Sequence, residues 1–339
     1  MVTIDTMSAA PLRTLVAAAI GEARTDQVLA VLDLDHAPGE PDPTRVSRAS
    51  VTVALTTVLF ADLLERVPTA SAYIASVAAR GERVRFDHGA MRTVAGPTGA
   101  LPSGSAAFTR ILEPLGYAFA HSYPLARLRM MGASWTHRDL PYDVPQFFLS
   151  ELQAEQLSED AQQAAARVFG ASRDPLGEPE HAMLDALAAD GACPLELALV
   201  GLPGLAGAFG VNHAVPSLED YEILRADSTE AAWIATEGNR FNHGTTRVPD
   251  VAALADRLRA EGWPIKAEVE VSGNGRVRQT AFIADKVMRP FRAPDGGTIE
   301  REVPGSFYEF IERRTDPATG RIDLSFDTAN ATGIFAVTR

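Results

Sequence analysis

The sequence predicts an α+β protein in which a βαβββ unit occurs twice, with helices placed before and between the two copies. Three observations carry this. First, a heptapeptide pattern recurs. Phe86-Asp87-His88-Gly89-Ala90-Met91-Arg92 and Phe241-Asn242-His243-Gly244-Thr245-Thr246-Arg247 share Phe-[Asp/Asn]-His-Gly-x-x-Arg, and their histidines lie 243 − 88 = 155 residues apart. Second, each copy reads as a strand, then a helix, then further strands. Third, the stretches before and between the copies are rich in Ala and Leu, with apolar residues three and four apart, which is the helical period. Repeats at fixed spacing mark duplicated structural units. Two such units form one curved sheet, with equivalent strands facing each other across a pseudo-twofold axis.

The elements follow in order. Residues 1–82 form an N-terminal helical segment, with helices over 11–32 and 46–67 and a third opened by Pro68 and ended by Gly81. The first unit spans 83–157. RVRFDH (83–88) alternates as a strand does, GSAAFTRILEPLG (104–116) is helical, and YAFAHSY, RLRMMGASW and VPQFFLSEL are strands. Residues 158–218 are a helical insertion. Its first helix starts at Ser158 with Glu159 and Asp160 in the first turn, where a helix N-terminus favours acids. The second unit spans 219–339. RFNHGTTRV (240–248) is a strand and VPDVAALADRLRAEG (248–262) a helix. PIKAEVEVSG and VRQTAFIADKVMRPF are strands joined by a turn at Gly273-Asn274-Gly275. A Pro-Asp-Gly-Gly turn at 294–297 leads to a last strand, SFYEFIERR.

Composition excludes several classes of function. The chain has 339 residues, 46% hydrophobic and 22% charged, which excludes a disordered or fibrous protein and allows a large core. Its net charge is 31 − 44 = −13, which argues against gripping nucleic acid, because phosphate binding needs clustered Lys and Arg. A single cysteine, Cys193, excludes an internal disulfide framework or a cysteine metal cluster. Residues 1–6 carry Asp5 and no Lys or Arg, so the basic start of an export signal is missing. No run reaches the ~18 apolar residues of a membrane span. These features read as a cytoplasmic protein that does not enter a membrane.

Alternation aims His88 and His243 at one central cavity, each from one face of its strand. Two imidazoles leave a divalent metal under-coordinated, and a carboxylate completes a common three-donor face with open positions. Glu309, in Phe307-Tyr308-Glu309-Phe310, is the best third donor, since an acid among strand aromatics is costly to bury unless it is paired or metal-bound. Glu312 has the opposite facing and points away. The strand ends also look repeated. Glu151 follows His88 by 63 residues and Glu309 follows His243 by 66. Arg92 and Arg247, four residues after each histidine, offer planar forks suited to a substrate carboxylate. His213 is the main competitor for a ligand role. His36, His121, His137 and His181 have no repeated context and read as structural. The serines lack the setting of a nucleophile elbow.

The motifs HGAMR (88–92), FNHGTTR (241–247), VRQTAF (277–282) and FYEFIER (307–313) resemble those of the 2-oxoadipate dioxygenase/decarboxylase family, also called hydroxyglutarate synthase. The resemblance spans roughly residues 80–315. FYEFIER is also similar to the final-strand motif of 4-hydroxyphenylpyruvate dioxygenase. The resemblance implies a vicinal-oxygen-chelate core and Fe(II) held by His88, His243 and Glu309. It implies substrate contacts from Arg92, with Arg247 and Gln279 beside it. The reaction it implies consumes O2, removes CO2 from a 2-oxo acid and hydroxylates the remainder, so that 2-oxoadipate gives 2-hydroxyglutarate. The chain departs from the family pattern at Gly244 and Thr246, where a larger apolar residue and a proline are expected. This points to an altered pocket wall and hence a different 2-oxo acid as an open alternative. Two further alternatives are a metal-dependent lyase or isomerase on the same core, with His213 or Glu151 as an added ligand or base, and a binding protein without metal.

Overall fold

The computed structural model describes residues 10–35, 39–40 and 42–326. His36 and the N-terminal residues read for an export signal lie outside the described residues. Helices α1 (Ala10–Ile20) and α2 (Glu22–Val31) divide at Gly21, so the segment read as one helix is two. Gly21 has φ 79°, which glycine adopts without penalty. Strand β1 (Arg45–Ser47) leads into α3 (Arg48–Arg66), and α4 (Pro68–Ala79) follows with proline at its start. The first unit comprises β2 (Arg85–Ala95), α5 (Ala106–Leu112), β3 (Tyr117–Leu125), β4 (Met130–His137) and β5 (Gln146–Gln153). Next come α6 (Glu159–Phe169), α7 (Glu178–Asp190), β6 (Ala192–Pro194), α8 (Leu195–Gly207), α9 (Leu218–Asp227) and α10 (Thr229–Glu237). The second unit opens with β7 (Phe241–Arg247), α11 (Val251–Ala260), β8 (Glu270–Val271) and β9 (Val277–Ala281). A hairpin of β10 (Lys286–Arg292) and β11 (Thr298–Pro304) precedes the last long strand, β12 (Phe307–Arg313). The short strands β13 (Thr315–Asp316) and β14 (Arg321–Ile322) pair with each other.

Eight strands form one sheet in the order β3-β4-β5-β2-β7-β12-β9-β8. The order is a palindrome of equivalent strands. In each half the first strand pairs parallel to the last, and the others pair antiparallel. The halves meet where β2 runs antiparallel to β7, with Gly89 opposite Gly244. This is the duplicated, curved sheet that the repeat predicts.

Two segments differ from the sequence reading. Residues 219–237, the start of the second unit in the sequence reading, belong to the helices α9 and α10. Ser217 and Ser228 cap the two helices, accepting from Asp220 N at 3.0 Å and Ala231 N at 3.2 Å. VRQTAFIADKVMRPF is not one strand. β9 stays in the sheet, whereas β10 leaves it to pair with β11, because Phe291 and Val303 bury against α9 and α10. The Phe291 ring lies 4.7 Å from that of Tyr221.

One face of the sheet packs on helices. Phe60 of α3 meets Phe86 at 5.0 Å, and Tyr73 of α4 meets Phe310 at 5.0 Å. The two motif glycines face this side. A Cβ on Gly89 would lie 2.2 Å from the Phe241 ring, and one on Gly244 would lie 2.5 Å from Leu63 Cδ2. Thr246 shares that face, accepting from the Tyr308 hydroxyl at 3.1 Å. The residues at which the chain departs from the family motif therefore wall the helix-packed core. The expectation of an altered pocket wall is corrected by strand parity, since both alternate with His243 and Thr245. No helix among the described residues is long and apolar enough to cross a membrane.

Candidate metal centre

The other face of the sheet carries the polar residues of the repeat. His88, His243 and Glu309 are each at most 5% exposed, and one ligand atom from each lies within 4.8 Å of the others. Both imidazole Nε2 atoms are 3.6 Å from Glu309 Oε2. Cross-strand register explains the convergence. His88 is opposite Thr245, and Thr245 is opposite Glu309, so three adjacent central strands bring these side chains into one row. His243 enters from the next row, beside Phe307, whose ring stacks on it at 4.8 Å.

The register also corrects the expected repeat of the acids. His88 is opposite Gln146 and His243 opposite Phe307, so Glu151 and Glu312 are equivalent, each five residues further on (151 − 146 and 312 − 307). Both cap the helix of their own unit. Glu151 Oε2 accepts from Ser105 N at the start of α5, and Glu312 Oε2 accepts from Val251 N at 3.2 Å at the start of α11. The residue equivalent to Glu309 is Phe148, so the duplicated frame supplies one carboxylate to the centre. Glu312 stays out of the triad, as its facing predicts.

Each histidine follows a β-bulge. Register shifts lie between Phe86 and His88 on β2, and opposite Ala90 and Met91 on β7, which leaves Asp87 and Asn242 as the extra residues. A bulge puts two successive side chains on one face. Asp87 thereby reaches its neighbour's ring. His88 Nδ1–H donates to Asp87 Oδ1 at 2.8 Å, leaving Nε2 as the lone-pair donor. The Asn242 amide meets His243 Nδ1 at 3.2 Å. Thr245 Oγ1 donates to Glu309 Oε2 at 2.6 Å and lies 3.1 Å from His88 Nε2. The repeated Asp/Asn before each histidine was the sequence signal for these supporting partners, but its role required the bulge.

Electrostatics suit a cation. Burial pushes the Glu309 carboxyl up to about 8, against the opposing hydrogen bond from Thr245. Burial also holds His243 well below the ordinary histidine value, with His88, Arg92 and Lys266 adding to it. His88 is lowered by burial, with Asp87 opposing. Burial alone would raise Asp87, but Arg313, the bond to His88 and Arg247 outweigh it and hold its carboxyl well below the usual range. Two imidazoles held neutral by burial and one buried carboxyl group are a donor set that fits a divalent metal.

This yields a testable pH dependence. Without metal, native Glu309 keeps its proton to about pH 8, whereas the unfolded chain loses it near the ordinary value of 4.5. Between these limits the native state binds more protons, so Glu309 makes metal-free stability fall as pH rises through this window. A metal displaces that proton, so affinity rises with pH and levels off above about 8. Calorimetric titration of Mn(II) in buffers of different ionisation enthalpy near neutral pH is expected to show release of about one proton per ion. A pH-independent affinity with no proton release would contradict it.

The remaining candidates fall as follows. Arg92 is 1% exposed, pairs with Glu230 of α10 at 2.8 Å and lies 4.7 Å over the Trp233 ring. Arg247 Nη2 binds Asp87 Oδ2 at 2.8 Å, and Arg313 grips both Asp87 oxygens. Gln279 Nε2 donates to Glu270 Oε2 at 3.1 Å on the second unit's flank. His213 is away from the triad, with Nε2 at 3.2 Å from the Ile234 carbonyl oxygen and its ring against Phe169. Phe326 was not singled out by the sequence. Its ring stands edge-on to His88 at 4.8 Å and contacts Phe148, giving the centre an apolar wall.

Two βαβββ units sharing a buried two-histidine, one-carboxylate set define a protein of the glyoxalase, or vicinal-oxygen-chelate, type. A glyoxalase superfamily protein from Ralstonia eutropha JMP134 has the same fold, with TM-score 0.89 at 48% identity over 94% of this chain and 98% of its own. Within that type, residues 53–335 match the 2-oxoadipate dioxygenase/decarboxylase family, and the chain belongs to it. The chloroplastic/amyloplastic 2-oxoadipate dioxygenase/decarboxylase of Oryza sativa is 24% identical over 277 residues, covering 75% of this chain and 66% of the plant protein. The chain thus spans just under two thirds of that relative. The structure of hydroxyglutarate synthase from Oryza sativa, in complex with 2-oxoadipate, shares the fold at TM-score 0.68 and 20% identity, over 89% of this chain and 97% of the other.

Proposed function

We propose that this protein is an Fe(II)-dependent dioxygenase that decarboxylates a 2-oxo acid, with 2-oxoadipate as substrate and His88, His243 and Glu309 as the iron ligands. The observation that carries the reading is the convergence of these three buried side chains on one face of the duplicated sheet, in a chain of this family. Bound Fe(II) supplies Lewis acidity toward the 2-oxo acid and one-electron chemistry toward O2. The chain's own groups do the rest. Asp87 holds the proton on His88 Nδ1 and fixes the ring. Thr245 orients the Glu309 carboxylate. Arg92, steadied by Glu230 and Trp233, contacts the substrate carboxylate next to the keto group. Arg247 acts through Asp87, and Gln279 through Glu270. Phe148, Phe307 and Phe326 keep bulk water from the centre.

The net reaction balances. 2-Oxoadipate and O2 give 2-hydroxyglutarate and CO2, with one oxygen atom entering the new carboxylate and the other the new hydroxyl. Protein loaded anaerobically with Fe(II) is expected to take up O2 and release CO2 in equal amounts when given 2-oxoadipate. Turnover without O2 would instead support a lyase or isomerase. Failure to bind iron would overturn the proposal.

A further inference from the structure

The row of side chains through the metal centre does not end at Glu309. Glu309 is opposite Ala281 on β9. Beyond it, Lys266 N–H donates to the Ala281 carbonyl at 2.9 Å, and Ile265 bridges Phe282 in the antiparallel sense. Lys266 is therefore the neighbour of Ala281, and its side chain leaves on the same face as those of Ala281, Glu309, Thr245 and His88. Neighbouring strands lie about 4.8 Å apart, which puts the Lys266 backbone about 10 Å from that of Glu309. In that row the intervening residue is Ala281, whose side chain is a single methyl. The flexible stem of a lysine can cross much of such a gap.

A cation on a flexible stem stands at this point. The Lys266 ammonium pairs with Glu270, and both side chains are about 15% exposed. Glu270 is separately held by Gln279. The acid is thus anchored by the sheet, while the lysine is tethered at its tip. Arg92, by contrast, lies along β2 rather than across the sheet. It is already buried between Glu230 and Trp233. Lys266 is one of two lysines among 31 basic residues, so the chain here uses a compact charge on a flexible stem rather than its usual planar fork. A dianionic substrate entering a protein of net charge −13 needs a local cation at each anionic end.

We propose that Lys266 is a specificity-determining residue, its ammonium receiving the second carboxylate of a dicarboxylic 2-oxo acid whose carbon chain lies over Ala281. This rests on the reading that the centre takes a 2-oxo acid at its open side. Glu270 remains with Gln279, and Lys266 is shared between Glu270 and the substrate.

Anaerobic calorimetric titration of the Fe(II)-loaded protein tests this with two probes. One is 2-oxoadipate, and the other is 2-oxohexanoate, which has the same chain without the second carboxylate. The wild type is expected to prefer 2-oxoadipate. Lys266→Met is expected to weaken 2-oxoadipate about 10- to 100-fold, and to change 2-oxohexanoate by less than about threefold. Iron content should stay at the wild-type level, and Lys266→Arg should restore part of the affinity. The double variant Lys266→Met/Glu270→Gln leaves no carboxylate stranded without its cation, and is expected to lose the same preference. Equal binding of both acids by the wild type, or an unchanged preference in either methionine variant, overturns the assignment of Lys266. Wild-type protein that holds iron but binds neither acid overturns the underlying reading instead.

Discussion

The His243→Ala protein is expected to fold and to lose its metal. The substitution leaves His88 and Glu309, two donors where three converge. Loss of an outer partner typically weakens a metal site about 10–100-fold, and loss of a ligand should exceed that. The fold should survive. His243 sits on β7, whose pairing with β2 and β12 is made by backbone groups, and truncating it removes a buried polar group rather than stranding a charge. Iron content by elemental analysis, O2 uptake with 2-oxoadipate and circular dichroism together check this. His213→Ala is the matched control, because that ring is held by backbone carbonyls away from the triad. Wild-type iron content and turnover in His243→Ala would sink the ligand assignment.

Asp87→Asn is expected to strike stability and metal binding together. Asp87 is the common counter-charge of Arg313, whose side chain is fully buried, and of Arg247. Removing one partner from a buried ion pair costs about 3–5 kcal/mol, because the charge left behind stays desolvated. The same change removes the carboxylate that fixes His88, at a further cost of about 10–100-fold in metal affinity. Asn242→Ala separates the two effects. It takes away the equivalent partner of His243 and leaves no arginine stranded, so it should weaken metal binding with little change in unfolding free energy. Urea denaturation and metal titration of both variants decide the matter. An Asp87→Asn protein as stable as the wild type would show that the buried network does not hold the fold as described.

The pairing of Glu151 with Glu309 shows where sequence reasoning reaches its limit. Both are acids in aromatic strands at similar distances from their histidines, and residue spacing makes them look equivalent. Hydrogen-bond register makes Glu151 equivalent to Glu312 and gives both a helix to cap. Residues 218–237 failed for a different reason. Spacing assigns most of this stretch to the second unit, but Ser217 and Ser228 start helices that pack against the β10–β11 hairpin. The strand over 277–291 broke because its second half finds apolar partners on α9 and α10, which local alternation does not reveal.

By itself the sequence determined the duplication, the strand positions of both histidines and the facing of Glu309, because repeats and side-chain alternation are local properties of a chain. Only the tertiary structure decided which residues are neighbours across strands. That includes the bulges that turn Asp87 and Asn242 toward the histidines, the glycines that seat the sheet on its helices, and the row running from His88 to Lys266. Register depends on the packing of the whole sheet, and a one-residue slip would send each of these side chains to the opposite face.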